Sequence, residues 1–343
     1  MILARRNFVF FTVVALLFGF SSVASAESTI RLETYAGAKH SMNSEGWPQW
    51  VTQVEDAGKG SIKIKMTFPP INPRDLLDRV RTGIADMAWI THGYTTGRFV
   101  FTDIVELPGL DGNAEQMSRA YWRIHEKHLA KFNEHKGVKL LALFSHGPGM
   151  MHTRQAVTQV SQLKGLKIRT GGGVQSAIAK RLGIVSVSAP ATKAHELLSQ
   201  GVADGIFFSL ETITAFKLGD VVKYHYSMPG GLYAASFAVI MNEDKFNSMA
   251  KSEQDALMSV AGEEMSAHFG RVWDRSDKFS HNALSKSGNT ISPVSAAVHG
   301  ALKERLADLD GEWIKKAKSE GLANAAQVLA ELREEVQKIK KGM

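Results

Sequence analysis

The sequence predicts an α/β protein of two lobes, each a sheet flanked by helices. Three observations predict it. Residues 29–90 carry strand and helix signals in the order β-α-β-α-β, the start of a doubly wound sheet. A second strand, glycine loop and helix follow at 163–182. The chain is long enough for two domains, and no Pro/Ser-rich linker divides it, so it should cross between them several times.

The first 26 residues read as an export signal. Arg5 and Arg6 form a charged start, Phe8 to Phe20 is nearly all apolar, and Ala24-Ser25-Ala26 is a small-residue cleavage site. The apolar run is short for a membrane span. No cysteine follows the site, which excludes a lipid-anchored lipoprotein. Arg5-Arg6-Asn7-Phe8 partly mimics a twin-arginine signal, but no prefolded cofactor is implied, so the general secretory route is expected. The mature protein should begin at Glu27 in the periplasm.

Loss of Arg5 and Arg6 lowers the net charge to +7 − 2 = +5. The excess is mild and spread along the chain. The lysines at 338–341 read as a solvated helix end, where cations favour the macrodipole, and no block suggests a nucleic-acid footprint. The absence of cysteine excludes disulfides, thiolate zinc sites and cysteine nucleophiles.

In chain order, Thr29 to Tyr35 alternates as a first strand. Ser44 to Gly58 places Trp47, Trp50, Val51 and Val54 at helical spacing. Ile62 to Met66 alternates again, Arg74 to Thr82 is a short helix, and Ile84 to Ile90 is apolar enough for a buried parallel strand. Asn113-Ala114-Glu115-Gln116 looks like a capped helix start, with Gly137 as its stop and Val138 to Ser145 as the next strand. His146-Gly147-Pro148-Gly149 is the first crossing point. Beyond it come strand Leu166 to Arg169, helix Val174 to Leu182, helix Ala194 to Gln200 and strand Ala203 to Phe208. Ala234 to Met241 is apolar and should return to the first lobe. Ser252-Glu253-Gln254-Asp255 should cap one helix of about 30 residues, roughly 45 Å at 1.5 Å per residue.

The chemistry concentrates in Leu163 to Gly173, LKGLKIRTGGG. Arg169 ends a strand just before three glycines that let backbone approach a ligand. In an open α/β sheet, ligands bind at that edge. A guanidinium there offers a carboxylate two parallel N–H bonds. The expected function is capture of a small organic anion. Gly171 to Gly173 lacks a following Lys-Ser/Thr pair, so a nucleotide loop is not supported.

LKGLKIRTGGG resembles the signature of the solute-binding proteins of tripartite ATP-independent periplasmic (TRAP) transporters. Gly201-Val202-Ala203-Asp204-Gly205 resembles that family's second motif, and RTGIADMAWITHGYTTGRF at 81–99 extends the likeness. The resemblance implies a periplasmic-binding-protein-like fold with a long domain-spanning helix. It implies 27–146 plus 234–273 as lobe I, 147–233 plus 274–320 as lobe II, and 321–343 as a carboxyl-terminal helix. It also implies that Arg169 holds the substrate carboxylate and that Thr91 is a polar ligand contact.

Relatives commonly have an asparagine where this chain has Phe208, and some carry a second arginine where it has Gly149. Both departures favour a monocarboxylate with an aromatic or apolar body. Phe207 and Phe208 should point to opposite faces. Tyr35 and Tyr94 are further expected contacts, and Glu211 could sit on the pocket rim or start a helix. Asp204 is expected to be a structural turn acid, Arg154 to be solvated, and Trp89 to be core.

His125 and His128 share a helix face, but no carboxylate pattern completes a metal motif. No G-x-S-x-G elbow marks a hydrolase. The expectation is a receptor, not an enzyme, with no metal or cofactor, monomeric, delivering its acid to TRAP permease subunits in the membrane. The alternatives are a receptor for an ATP-driven importer and a secreted hydrolase or lyase acting on a carboxylate.

Overall fold

The computed structural model describes residues 27–342. The expected export signal, 1–26, lies outside the described residues. Among the described residues no helix is long and apolar enough to cross a membrane.

The strands are β1 (Ser28–Glu33), β2 (Ile62–Thr67), β3 (Met87–Thr91), β4 (Val138–Ser145), β5 (Met150–Thr153), β6 (Lys167–Thr170), β7 (Val185–Ser188), β8 (Gly205–Phe208), β9 (Tyr224–Ser227), β10 (Ser236–Asn242) and β11 (Thr290–Pro293). They form two sheets, one in the order β2-β1-β3-β10-β4 and one in the order β11-β9-β5-β8-β6-β7. The chain leaves the first sheet after β4, returns to it as β10, and leaves again before β11. In the first sheet β1 runs parallel to β2 and β3, and β10 is antiparallel to β3 and β4. The strands β5, β7, β9 and β11 have four residues each, too short for a period to stand out in sequence, and none was among the expected elements.

The helices are α1 (Trp47–Ala57), α2 (Leu76–Arg81), α3 (Ala114–Ile124), α4 (Gly173–Arg181), α5 (Ala194–Ser199), α6 (Leu210–Ala215), α7 (Glu243–Ser248), α8 (Lys251–Ser259), α9 (Gly262–Lys286), α10 (Ala296–Leu306), α11 (Leu309–Ser319) and α12 (Ala325–Lys340). The capping box expected at α3 is present. Asn113 accepts from the Gln116 N–H, and the Gln116 side chain accepts from the Asn113 N–H.

The single helix expected from Ser252 is two helices. Ala261 is extended and Gly262 has φ +68°, a left-handed conformation that breaks the helical path. A side chain at 262 would press on the Trp122 indole. The Val260 carbonyl, orphaned by the break, accepts the Trp50 indole N–H at 2.8 Å. The start also differs: the Glu253 carboxylate, not Ser252, takes the free Ala250 N–H. What remains, α9, has 25 residues, about 37 Å. It still spans the lobes, packing on α3 and β4 at one end and on α6 and β11 at the other.

The contact between α9 and α3 is tight. A Cβ at Gly270 would lie 2.5 Å from the Glu115 Cα. One turn on, the Asp274 carboxylate accepts the Ala114 and Glu115 N–H groups at 2.7 and 3.1 Å, capping α3 from outside. Gly270→Ala should therefore destabilise the fold by about 1–3 kcal/mol through overpacking. Chemical denaturation checks this, and an unchanged midpoint would mean that the helices can separate at no cost.

Burial also shapes the acids. Asp103, in the single turn Thr102–Glu106, has its carboxyl pushed up to about 7, chiefly by loss of water, with the Lys316 ammonium pulling the other way and Glu134 adding to the rise. A carboxyl raised in the folded state contributes stability below its unfolded value, near 4, and loses it as pH rises through about 7. Asp103→Asn should therefore gain stability relative to wild type as pH rises from 4 to 8. Paired denaturation curves at the two pH values read this difference, and parallel curves would contradict it.

Candidate ligand-binding site

Arg169 is the penultimate residue of β6, and it is only 1% exposed. Its Nε donates to the Ala189 carbonyl at 2.9 Å, and Nη2 bonds the same carbonyl and the Tyr94 phenol oxygen. The guanidinium carbon lies 4.5 Å over the Phe208 ring. Among the described residues no carboxylate pairs with it, and its Nη1 group makes no hydrogen bond. The two-bond fork expected from sequence is therefore partly committed. Ala189 holds the Nε edge and leaves Nη1 free.

Tyr94 approaches from the other lobe. Its phenol oxygen accepts the Ala191 N–H at 2.9 Å as well as Arg169 Nη2 at 3.3 Å. Both are accepted bonds, so the phenol hydrogen remains to be donated. Behind it the Tyr35 hydroxyl and Thr91 Oγ1 lie 3.2 Å apart, sharing one hydrogen bond and leaving one hydroxyl hydrogen over. The Gln175 carbonyl oxygen accepts the Gly171 N–H at 2.8 Å, while its amide nitrogen has no hydrogen-bond partner among the described residues.

These groups face one cavity between the lobes, with about 410 Å³ of empty space. The cavity is a narrow slot. Its walls are aromatic. Tyr35 stacks on Trp89 with ring centres 4.6 Å apart, Phe237 on Trp273 at 5.2 Å and Phe208 on Phe216 at 6.0 Å. Both indole N–H groups point elsewhere, Trp89 to Thr34 and Trp273 to Ser209. His146 also lines the slot, yet both its nitrogens are taken. Nε2 accepts the Ala235 N–H, and Nδ1 donates to the Gly147 carbonyl. Burial lowers its pKa to about 4, so the ring is neutral at pH 7. The slot thus has the Arg169, Tyr94 and Gln175 donors at one end and mostly aromatic surface elsewhere, broken by His40, Thr212 and Ala235.

Of the residues singled out in sequence, Arg169, Phe208, Thr91, Tyr94 and Tyr35 line this cavity together. Glu211 does not line it. Glu211 sits in the first turn of α6, accepts the Ser41 hydroxyl at 2.9 Å, and ties the lobes behind the slot. Phe207 and Phe208 point oppositely, Phe207 into the main core and Phe208 to the cavity side. Asp204 serves the turn, accepting the Lys167 N–H at 2.8 Å. Arg154, expected in solvent, is half-buried, with Nε and Nη2 covered and unbonded. A Cβ at Gly149 would lie 2.3 Å from the Tyr233 ring, so that ring fills the place of a second arginine.

Trp89 is both core and cavity wall. It shares a strand face with Thr91, two residues on, and that alternation was the available signal. His40, Gln175, Phe216 and Trp273 carried no local signal. His125 and His128 are both half-buried, and His128 pairs with Glu331 at 2.9 Å. Among the described residues no cluster of three or more potential ligands could hold a metal.

Residues 33–316 match the family model for bacterial extracellular solute-binding proteins, family 7. The chain belongs to this family. It is a TRAP-type solute receptor, and its relatives work with TRAP permeases. A TRAP solute-binding protein from Bordetella bronchiseptica, solved with bound (R)- and (S)-mandelate, is 33% identical, with a TM-score of 0.88 over 91% of this chain and 99% of that one. One from Rhodoferax ferrireducens with copurified benzoate is 26% identical, with a TM-score of 0.85 over 91% and 98%. Among curated proteins, the outer membrane transporter protein TsaT of Comamonas testosteroni is 26% identical over 86% of this chain and 88% of its own. The receptor's two lobes thus meet around a slot that one family-typical arginine closes at one end.

Proposed function

We propose that this receptor captures an aromatic or bulky apolar monocarboxylate in the periplasm and delivers it to a TRAP permease without changing it. The observation that carries the proposal is Arg169, a fully buried guanidinium with no carboxylate partner among the described residues. A buried cation calls for an anion, because desolvating it unpaired is costly. Arg169 Nη1 and the Tyr94 hydroxyl would hold the two carboxylate oxygens. Phe208, Trp89 and Tyr35 would pack the ligand's body, with Thr91 at its polar edge. Glu211 would act on the lobes and not on the ligand.

The mandelate- and benzoate-bound relatives support an aryl acid. Against the aromatic walls a sugar acid would leave hydroxyls unpaired, at about 1–3 kcal/mol each. Lobe I would comprise 27–146 plus 234–273 and lobe II 147–233 plus 274–320, with the monomer as the working unit. Export would remove residues 1–26, which intact-mass measurement of periplasmic protein checks.

A thermal-shift panel of organic acids tests the ligand class. At a hundred-fold excess over Kd, an aryl monocarboxylate should stabilise by about 2.7 kcal/mol, raising Tm by about 4 °C for a chain of this size. The compound should be recovered unchanged. Tight binding of succinate or a hexuronate, with none of mandelate or benzoate, would overturn the proposal.

A further inference from the structure

One wall of the slot is a contact between two main chains. The loop that opens α4, in the second lobe, lies against the turns His92–Tyr94 and Thr102–Glu106 of the first. Gly172 there has φ +94° and ψ −165°, a conformation that glycine alone adopts readily. A Cβ on it would lie 2.3 Å from the Gly93 carbonyl oxygen. From the other side, a Cβ on Gly93 would lie 3.1 Å from the Gly171 oxygen. A methyl group does not fit at Gly172 and is tight at Gly93.

Glu106 crosses the same seam. It is 2% exposed, and its Oε1 accepts the Ser236 N–H at 2.9 Å, which fixes it in the first lobe. Its Oε2 would be 3.2 Å from a Cβ on Gly173, and the Val174 N–H lies against the carboxyl. Gly172 offers α4 no side-chain cap, and the Glu106 carboxyl of the opposite lobe lies beside the helix's first residue. The seam divides two spaces. Behind it is the slot; in front is an open cleft of about 1300 Å³, against 410 Å³ for the slot, lined by His92, Gly93, Gly172 and Gly173.

We propose that this glycine seam, flanked by Glu106, is the gate of the ligand slot. The lobes part there to admit the acid from the cleft, and the closed state is held by contacts that exist only when Gly93 and Gly172 touch. Glu106 is a positioning residue that never meets the ligand. Filling the seam with a methyl group biases the receptor open, which lowers apparent affinity by the fraction of closed state lost. The proposal rests on the slot being the solute site.

The test measures opening and binding separately. Spin labels on exposed Lys65 and Val185, one on each lobe, report the lobe distance, and calorimetry with mandelate and benzoate reports affinity. Gly172→Ala should stay open at saturating acid and bind at least ten-fold more weakly. Gly93→Ala adds the same kind of obstruction without a left-handed φ to strain, so its open state cannot be ascribed to misfolding. Glu106→Ala should raise the dissociation rate several-fold, and Glu106→Gln, which keeps one acceptor oxygen, should restore part of it. Wild-type affinity and full closure in both glycine variants would overturn the gate. Were no acid on the panel to bind wild type, while the variants still shifted the ligand-free distances toward open, the ligand assignment would fail and the gate would stand.

Discussion

Arg169→Ala should reduce affinity for an aryl acid by about 2–5 kcal/mol, roughly thirty- to several-thousand-fold, because it strips a desolvated carboxylate of its cation. No other arginine or lysine lines the slot. The Tyr94 hydroxyl is neutral, and His146 is held neutral by a backbone donor on Nε2. Ala189 would lose both of its guanidinium bonds, so some loss of stability should accompany the loss of binding. Arg169→Lys keeps the charge but cannot bond Ala189, Tyr94 and a ligand in one plane, so its rescue should be partial. Calorimetry with mandelate or benzoate, with circular dichroism to confirm folding, decides it. Wild-type affinity in the alanine variant would remove Arg169 from the site.

Phe208→Asn should shift specificity. The phenyl ring contributes twice, as cavity wall and as the surface beneath the Arg169 guanidinium. Its loss should cost an aryl acid about 1.5–3 kcal/mol, from lost apolar contact, lost ring stacking and a less firmly held guanidinium. The amide would supply hydrogen bonds that a hydrophilic acid can use, so a hexuronate should gain relative to mandelate. Competition calorimetry on both proteins measures the ratio. An unchanged ratio would mean that Phe208 supports the fold without touching the ligand.

The site was legible in sequence where its residues sit at strand ends. Thr91 and Phe208 close β3 and β8 and Arg169 is the penultimate residue of β6, so all three lie at the strand edge that faces the cleft. Tyr94 followed from Thr91 by three residues. Glu211 follows Phe208 into α6 and starts that helix, one of the two places the sequence allowed it; its carboxylate meets Ser41, while Thr212 beside it lines the slot. The break before α9 was visible only as Gly262 within an otherwise helical stripe. A glycine there is compatible with a continuous helix, and only packing against Trp122 selects its left-handed φ.

By itself the sequence determined the two-sheet α/β architecture, the crossing at 146–149, the strand that carries Arg169 and the family to which the chain belongs. These follow from local periodicity, glycine placement and a contiguous motif. Only the tertiary structure decided how much of Arg169 is free, that the slot is walled by Trp89, Trp273 and Phe216, and that Glu106 of the other lobe lies beside the first residue of α4. Those features depend on side chains far apart along the chain. Trp273 reaches the slot from α9, and Tyr94 meets Arg169 and Ala191 only where two sheets close. No spacing rule links such residues, because their neighbours are set by how the sheets and helices pack in three dimensions.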